Sequence, residues 1–432
     1  MIWSKYNIDF QIKDSNSIGV YNTYSNSFIE IEKKLYAKIN EYLENSNNNL
    51  PAETLNKLKA NSILTKNDED IFNILRYKYL SSIFSFNTLE LTIAPTADCN
   101  FNCPYCFEKN KPNIYMNKTT ADNIINFIKS FNKKTEILWF GGEPLLNFNR
   151  IKYMSNILTT QNIDFSASII TNGYLLDENK IKEFKNLKIN NVQITFDGLS
   201  DTHNKRRRHK KGYPTFNKIL NNIDTLYKYT IKDNIFINIT ITIDETNKNE
   251  FSEIFVFLKD RYSELFNRNL INIPFNFVES RTNQANNCKM NNSERLNFIL
   301  ELFENNKIPK AYVLKYLYPK QNIHPCMMRK INSFGIGASG NIYKCLEDFD
   351  NEQKSLGNLN NKKIDTLKLA SLSLKKDVFE DKICQECIYL PLCGGGCPYD
   401  LINNTRKNYS ENCVLFKERI PEILSKYYFY TR

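Results

Sequence analysis

The distribution of cysteine constrains this chain more than any other feature of its sequence. Eleven cysteines occur in 432 residues, and none of them precedes Cys99. Three fall between Cys99 and Cys106, Cys288 stands alone, and seven lie between Cys326 and Cys413. In a reducing compartment, clustered cysteines indicate metal binding or catalysis rather than disulfides. The sequence therefore predicts two metal-binding regions separated by a long segment poor in cysteine.

Composition argues against the membrane and secreted classes. Hydrophobic residues make up 41% of the chain and charged residues 24%. No apolar run approaches the roughly 18 residues that a membrane helix needs. The first residues show no basic segment followed by an apolar one, so we expect no secretory signal. These patterns predict a cytoplasmic protein without a membrane partner.

The net charge of +11 comes from 58 basic and 47 acidic residues. An excess of this size suits a nucleic-acid partner or an acidic peptide. Here it is spread along the chain except for one run, residues 205–211. We therefore expect no nucleic-acid partner. The run itself is either a solvated face or a surface that attracts an acidic peptide.

Four segments differ in their pattern. Residues 1–86 contain three short strand-like runs followed by three helical ones, which favours a winged-helix-like module; a simple cap on the next domain is the alternative. Residues 87–280 alternate six strand-like runs, the last of them residues 271–278, with helical ones. This α/β pattern predicts a parallel sheet closed partly into a barrel, since a full barrel needs eight strands. Residues 281–323 form a helical linker, and the cysteine-rich residues 324–432 end in a helix and need metal to fold.

A cysteine motif follows the first strand predicted in the barrel segment. Cys99, Cys103 and Cys106 have the spacing C-x₃-C-x₂-C. Three thiolates cannot complete a tetrahedral zinc site or hold all four irons of a [4Fe–4S] cluster, so one iron is left open. This spacing, its place after the first strand, and Tyr105 before the third cysteine resemble the radical S-adenosylmethionine (SAM) superfamily. The resemblance implies that the open iron binds SAM, which is cleaved to a 5′-deoxyadenosyl radical.

Three further segments, each directly after a predicted strand, resemble motifs of the same family. They are Gly141-Gly142-Glu143-Pro144, Thr171-Asn172-Gly173, and Asp197-Gly198 followed by His203 and Arg207.

The resemblance implies a role in SAM binding for six of these residues. The glycines Gly141 and Gly142 let the backbone approach a ligand closely, and the Glu143 carboxylate suits the SAM ammonium. Polar groups of Thr171 and Asn172 would face the ribose or the amino-acid portion. Arg207 is the candidate for the SAM carboxylate, because a guanidinium can bind a carboxylate through two hydrogen bonds.

The later cysteines follow the order of the SPASM extension found in peptide- and protein-modifying members of the family. By this resemblance, one auxiliary [4Fe–4S] cluster is fully ligated by Cys384, Cys387, Cys393 and Cys413. A second is held by Cys326, Cys345 and Cys397. Either Cys288 supplies the fourth ligand of this second cluster, or one of its irons is open to a substrate thiolate. The resemblance thus implies three [4Fe–4S] clusters together with SAM.

The family resemblance also suggests a substrate. Residues 1–86 resemble the recognition element that binds the leader of ribosomally made precursor peptides, in which the leader adds as a strand to the sheet. The implied enzyme abstracts a hydrogen from a core residue and closes a cross-link. We expect a thioether from a Cys sulfur, with a C–C or C–O bond as the near alternative. A reducing partner such as flavodoxin or ferredoxin would supply the electron.

Two other functions remain open at this stage. Sulfatase-maturing enzymes of the family oxidise Cys or Ser to formylglycine, but they lack a leader-binding segment and place an Asp where this chain has Leu346. Glu347 follows directly and is the candidate catalytic base. A non-enzymatic iron–sulfur electron carrier is the third interpretation. The SAM-type segment Gly141–Pro144 argues against it, since a carrier needs no SAM contacts.

Overall fold

The computed structural model describes residues 1–12, 14–45, 49–106, 108, 112–279, 289–349, 351–361, 363–403, 413, 417 and 419–431. The chain forms two compact units, each assembled from segments that are distant in the sequence. The first comprises Met1–Ile83, Asn292–Cys326 and Leu374–Arg432, and the second comprises Phe84–Asn291 and Met327–Ser373. The division into four consecutive domains stays a prediction.

Sixteen strands occur in the described residues. They are β1 Ile2–Trp3, β2 Asn7–Gln11, β3 Ser17–Asn22, β4 Ser27–Glu32, β5 Leu64–Thr65, β6 Thr88–Ile93, β7 Lys134–Trp139, β8 Phe165–Thr171, β9 Ile189–Phe196, β10 Phe236–Ile243, β11 Ile271–Asn272, β12 Phe275–Phe277, β13 Ser333–Ile336, β14 Asn341–Tyr343, β15 Gly357–Asn358 and β16 Lys363–Ile364.

The α-helices of the same residues are α1 Lys33–Glu44, α2 Ala52–Ala60, α3 Asp68–Ile83, α4 Lys118–Phe131, α5 Phe148–Thr160, α6 Glu178–Glu183, α7 Ser200–Arg206, α8 Phe216–Asp233, α9 Phe251–Arg261, α10 Ser263–Asn267, α11 Asn292–Glu304, α12 Lys310–Leu317, α13 Thr366–Leu374, α14 Lys382–Gln385, α15 Leu390–Cys393, α16 Pro398–Asn403 and α17 Ile420–Thr431. Short 3₁₀ helices span Pro144–Asn147, Lys248–Glu250, Leu346–Asp348, Glu352–Lys354 and Leu359–Asn361. Within the described ranges, no helix is both long enough and apolar enough to cross a membrane.

A large, mostly parallel sheet forms the second unit. Its strands lie in the order β11-β10-β9-β8-β7-β6-β13-β14-β15-β16, and β12 also pairs with β10. The strands from β6 to β12 are parallel and alternate with helices, as the sequence predicts. On β8 every second side chain is buried, which is typical of a sheet packed on a helical layer. The predicted α/β fold with six parallel strand positions is confirmed.

The sixth strand position differs in detail from the prediction. Residues 271–278 were expected to form one strand, but the structure has two short strands, β11 and β12, both parallel to β10. The break contains Pro274, which has no backbone N–H to contribute to the ladder. The carbonyl of Pro274 still accepts a hydrogen bond from Ile241 N at 2.8 Å. The chain therefore follows β10 across the break and reaches the carboxyl end of the sheet.

The sheet continues beyond β6 into the cysteine-rich part of the sequence. Strand β13 is parallel to β6, and β14 is antiparallel to β13. Tyr343 at the end of β14 packs with Ala94 and Phe349 in a buried cluster. Cys345 follows β14 by two residues. Residues 327–373 are thus an extension of the barrel sheet.

A three-stranded antiparallel sheet, β2-β3-β4, lies in the first unit, and its strands and flanking helices are those predicted for residues 1–86. Both of its faces carry buried apolar side chains. One face packs under α1 and α2 through a cluster of Val20, Ile29, Ile31, Ile39, Leu58, Ile63 and Leu64. The other packs on the end of the chain through a cluster of Ile8, Phe10, Ile12, Tyr21, Leu392, Ile420, Leu424 and Tyr428. The N-terminal strands and the C-terminal helix α17 therefore share one hydrophobic core.

Replacing Leu424 by Ala should destabilise the protein by about 2–5 kcal/mol, because a fully buried leucine then leaves a cavity in this shared core. The matched control is Leu367→Ala on α13, since Leu367 is 83% exposed and its truncation should cost less than about 0.5 kcal/mol. Urea unfolding followed by tryptophan fluorescence measures both changes. Equal stability of the two variants would contradict the shared core.

Candidate functional site

A cavity of about 360 Å³ opens at the carboxyl ends of the parallel strands in the second unit. Parallel α/β sheets place ligands at this edge. Among the predicted site residues, the cavity is lined by Cys99, Cys103, Tyr105, Cys106, Gly141, Gly142, Thr171, Asn172, Arg207 and Glu347. The three cysteines of the C-x₃-C-x₂-C motif are therefore brought to one cavity with most of the predicted SAM contacts.

Backbone bonds fix the cysteine loop against the glycine segment. Gly142 N donates to Thr96 O at 3.3 Å, and Glu143 N donates to Asp98 O at 2.8 Å. A Cβ placed on Gly142 would lie 2.2 Å from Asp98 O, so another residue cannot fit there. The sequence suggested that these glycines admit a ligand. In the structure, the close approach that Gly142 permits is to the loop that carries Cys99.

Glu143 has a different environment from the one predicted. Its carboxylate is fully buried and accepts hydrogen bonds from Thr171 Oγ1 at 2.6 Å, Asn172 N at 2.8 Å and Leu145 N at 3.1 Å. Burial raises the pKa of Glu143, while these hydrogen bonds oppose the rise. Glu143 is not among the cavity-lining residues. Its carboxylate positions the turn after β8, and its contact with the SAM ammonium stays a prediction.

Asn172 links that turn to the cysteine loop. Its Nδ2 donates to Asn100 Oδ1 at 2.7 Å and lies 3.9 Å from Cys99 Sγ. Phe101 N donates to the same sulfur at 3.4 Å. Glu143 thus holds Asn172, and Asn172 in turn contacts the loop and its first cysteine. Hydrogen bonds thus connect three segments that are distant in sequence: the segment of Glu143, the turn of Asn172 and the loop of Cys99.

Tyr105 and Arg207 meet beneath the cavity at a buried aspartate. Tyr105 Oη donates to Asp197 Oδ1 at 2.8 Å, and Arg207 Nη1 donates to Tyr105 Oη at 3.0 Å. Arg206 binds the other oxygen of Asp197 at 3.0 Å and also binds Asp244 at 2.8 Å. Burial raises the pKa of Asp197, whereas Arg207 and Arg206 lower it. The two arginines differ in position: Arg206 pairs with two carboxylates and, although its Nη2 is buried without a partner among the described residues, it does not line the cavity, whereas Arg207 does.

Arg207, which lines the cavity, retains an unused hydrogen-bond donor. Within the described residues, its Nε is buried without a hydrogen-bond partner. Burial lowers the pKa of Arg207, but Tyr105, Cys103 and Asp197 outweigh that effect and raise it. A buried guanidinium that lines a cavity and has an unsatisfied N–H suits an anionic ligand. The residues present therefore fit the SAM carboxylate predicted for this position.

His203 lies outside the cavity. It is fully buried between Phe196 and Phe216, with ring centroids 4.9 Å and 5.5 Å away. Both ring nitrogens lack a hydrogen-bond partner among the described residues. Burial, reinforced by Arg207, holds the pKa of His203 well below its ordinary value. The imidazole is neutral and packs as an aromatic side chain behind Arg207.

Several cavity residues were missed by the sequence analysis. Thr195 on β9, Thr242 on β10, and Asn276 on β12 line the cavity together with the neighbouring Glu279. Each sits at or near the carboxyl end of a parallel strand. That position was a usable signal, since polar residues there face a ligand in α/β folds. Glu347, the candidate base, also lines the cavity.

Four C-terminal cysteines lie near one another in the first unit. Burial raises the pKa of Cys384 to about 12, with Asp381, Cys393 and Cys387 contributing. Burial also raises the pKa of Cys413, and Cys387 adds to that rise. These thiols therefore influence one another electrostatically; that all four ligate one cluster stays a prediction. Its four thiols would be deprotonated on binding metal.

The ligands predicted for the second auxiliary cluster are divided between the units. Cys326 and Cys397 belong to the first unit, and Cys345 belongs to the second. Cys288 lies outside the described residues. This ligand set, and the fourth ligand of that cluster, stay predictions.

The thiols of the cavity do not form a site for a single metal ion. Among the residues that the structure describes, no three His, Cys, Asp or Glu side chains are grouped so as to hold one ion. In a [4Fe–4S] cluster each thiolate binds a different iron, so the cysteines surround the cluster and do not converge on a point. Three cysteines lining one cavity fit that requirement.

Comparison with known proteins agrees with this site. The model of the radical SAM superfamily matches residues 93–258. An uncharacterized protein of Methanocaldococcus jannaschii is 30% identical over 63% of this chain and 89% of its own length. A cysteine-type anaerobic sulfatase-maturating enzyme of Clostridium novyi is 27% identical over 78% of this chain and 96% of its own length. The family resemblance drawn from the sequence is confirmed.

Solved structures show the same fold. Streptococcus suis SuiB, solved with S-adenosylmethionine and with its precursor peptide SuiA, has a TM-score of 0.51 in both structures. The match covers 96% and 97% of this chain and 99% of SuiB at 16% identity. The likeness in fold thus includes the N-terminal sheet as well as the barrel.

Replacing Arg207 by Lys should weaken SAM binding about 10- to 100-fold, because an ammonium lacks the planar fork and loses the bond to Tyr105. Arg208→Lys is the matched control, since Arg208 is the exposed neighbour. Equilibrium dialysis of labelled SAM against anaerobically reconstituted protein gives both affinities. An unchanged affinity in the Arg207→Lys variant would exclude Arg207 as the carboxylate ligand.

Proposed function

Because this chain belongs to the radical SAM superfamily, we propose that it modifies a ribosomally made precursor peptide by joining a Cys sulfur to a carbon. The observation that carries the proposal is the cavity in which Cys99, Cys103 and Cys106 lie with the partly unsatisfied Arg207. Three thiolates can hold a [4Fe–4S] cluster with one open iron, and the guanidinium can bind an anionic ligand beside that iron. The protein is an enzyme that acts by radical chemistry.

The cavity residues have separable tasks in this proposal. Cys99, Cys103 and Cys106 would hold the [4Fe–4S] cluster, and Arg207 and Asn172 would hold SAM. The bound cluster and SAM would together supply the radical that abstracts a hydrogen atom from a carbon of the substrate. Joining the substrate sulfur to the carbon radical also releases the thiol proton and one electron. An auxiliary [4Fe–4S] cluster would accept the electron, and Glu347, which lines the cavity together with Glu108 and Glu279, can take the proton.

The N-terminal sheet supports a peptide substrate with a leader. Among the described strands, β4 pairs with β3 alone, which leaves its other edge with backbone groups for an added strand. Peptides bind such edges through main-chain hydrogen bonds. SuiB, whose fold matches along nearly the whole chain, has been solved with a precursor peptide. We therefore propose β4 as the leader-binding edge.

Formylglycine formation is the second candidate, and the Clostridium novyi relative favours it. Leu346 occupies the position where the sequence analysis expected the acid/base Asp of that group. Glu347, one residue later, lines the cavity and is the carboxylate there that lies nearest in sequence to this position. The three-stranded sheet of the first unit has no task in this second function, so we place peptide cross-linking first.

Metal analysis tests the cluster assignment. Anaerobically reconstituted protein should contain about twelve irons per chain, four for each of three clusters. Replacing Cys99, Cys103 and Cys106 together by Ala should remove about four irons and all reductive SAM cleavage. Spectroscopic features of the auxiliary clusters should persist and serve as the internal control. Stoichiometric zinc in place of iron in the anaerobically purified protein would contradict the assignment.

Hydrogen exchange tests the leader-binding edge. A Cys-bearing precursor encoded beside the gene should slow amide exchange in Ser27–Glu32 when added to the full-length protein. A scrambled leader is the control and should leave exchange unchanged. The modified product should be lighter than the precursor by two hydrogen atoms and should lose its free thiol. Modification without protection of β4 would place leader binding elsewhere, and a Cys-to-formylglycine product would favour the second candidate.

A further inference from the structure

The basic run 205–211 is divided by the fold into an inner and an outer part. Arg206 and Arg207 turn inward to Asp197, and each side chain is 11% exposed. Lys205, Arg208, Lys210 and Lys211 are exposed. The inner arginines are explained by the cavity, whereas the outer cations are not.

The outer part is fastened to the backbone of the cysteine loop. Asn102 N donates to Arg208 O at 2.8 Å, and Lys210 N donates to Asn100 O at 2.8 Å. These two bonds form an antiparallel bridge between Phe101 and His209. The exposed cations thus flank the segment between Cys99 and Cys103, on the protein surface directly outside the cavity.

Aromatic rings support the same surface. Phe101, which lines the cavity, packs on Tyr174 at 5.8 Å, Tyr174 packs on His209 at 4.8 Å, and His209 packs on Tyr213 at 5.2 Å. Tyr213 at the end of this stack is 56% exposed. The stack holds the basic run rigidly over the loop and leaves one exposed aromatic ring among the cations.

Of the four cations of this surface, one is neutralised by a neighbouring carboxylate. Lys210 pairs with Asp98 at 2.8 Å. Within the described residues, Lys205, Arg208 and Lys211 form no ion pair. Such a group of like charges, retained at one place on the surface, raises the association rate of an acidic partner. Complexes between electron-transfer proteins typically have small interfaces, and a surface of this extent can form one.

We propose that the surface formed by Lys205, Arg208, Lys210, Lys211 and Tyr213 is the docking site of a small acidic redox protein that delivers electrons to the cavity. One electron leaves the reduced donor and enters the cluster, so the donor is oxidised by one electron and the cluster is reduced by one. No bond is made or broken. An acidic peptide is the rival occupant, but a surface fastened to the outside of the cysteine loop places a redox partner close to the group it must reduce.

The proposal rests on the proposed function in that it requires a cluster in the cavity. Its test therefore includes a binding measurement that does not depend on activity. The variant is Lys205→Glu/Lys211→Glu in the anaerobically reconstituted full-length protein. The matched control is Lys228→Glu/Lys232→Glu, which makes the same charge change on α8 near its end at Asp233. That end leads into β10 and lies away from the carboxyl ends of the strands.

The probe is flavodoxin, oxidised for binding and fully reduced for electron transfer. Both its binding and its rate of cluster reduction should fall about 10-fold or more in the 205/211 variant at low salt, with a weaker dependence on ionic strength. Reduction by dithionite, and SAM cleavage driven by it, should equal those of the unaltered protein. The control variant should behave as the unaltered protein in every measurement.

Two outcomes would overturn the proposal. Equal flavodoxin binding and reduction in both variants would make the run a solvated face. Unchanged flavodoxin reduction, with lower peptide modification when dithionite is the reductant, would assign the surface to an acidic peptide. Absence of dithionite-driven SAM cleavage in the unaltered protein would instead count against the proposed function, and the binding measurement would still decide the docking site.

Discussion

The cavity depends on one buried carboxylate. Glu143 is fully excluded from solvent and accepts three hydrogen bonds, from two residues of the turn after β8 and from Leu145 in its own segment. A buried charge is tolerated when its lone pairs are satisfied in this way. Through Asn172 the same carboxylate reaches the cysteine loop, and through its own backbone N–H it binds Asp98. Without it, the three loops that line the cavity would have no common anchor.

This arrangement explains why short motifs at distant positions act together. Each motif follows a parallel strand, and the sheet brings the carboxyl ends of those strands to one edge. The hydrogen bonds described above then hold the loops against each other. Gly142 allows its segment to lie directly against the cysteine loop because it has no side chain; a Cβ at this position would collide with the Asp98 carbonyl.

The sequence was sufficient for the parallel sheet, the N-terminal strands and the residues surrounding the cavity, because strand periodicity and motif spacing are local signals. It did not show that the Glu143 carboxylate joins the loops through hydrogen bonds to Thr171 and Asn172; the contact of Glu143 with SAM stays a prediction. It missed Thr195 and Thr242, since polar residues on a strand acquire meaning only when the strand's place in the sheet is known. It did not show that β13, in the cysteine-rich part of the sequence, pairs with β6 of the barrel sheet. Long-range pairings of this kind leave no trace in a local pattern.

The shared core of the first unit has a consequence for protein engineering. Chimeric enzymes are often made by exchanging an N-terminal substrate-recognition segment at its apparent boundary. Here a junction near residue 84 would separate Ile8, Phe10 and Tyr21 from Leu392, Leu424 and Tyr428, which pack against them. A graft that is to fold must therefore carry α17 and the residues around Leu392 along with the N-terminal strands, or redesign both surfaces together.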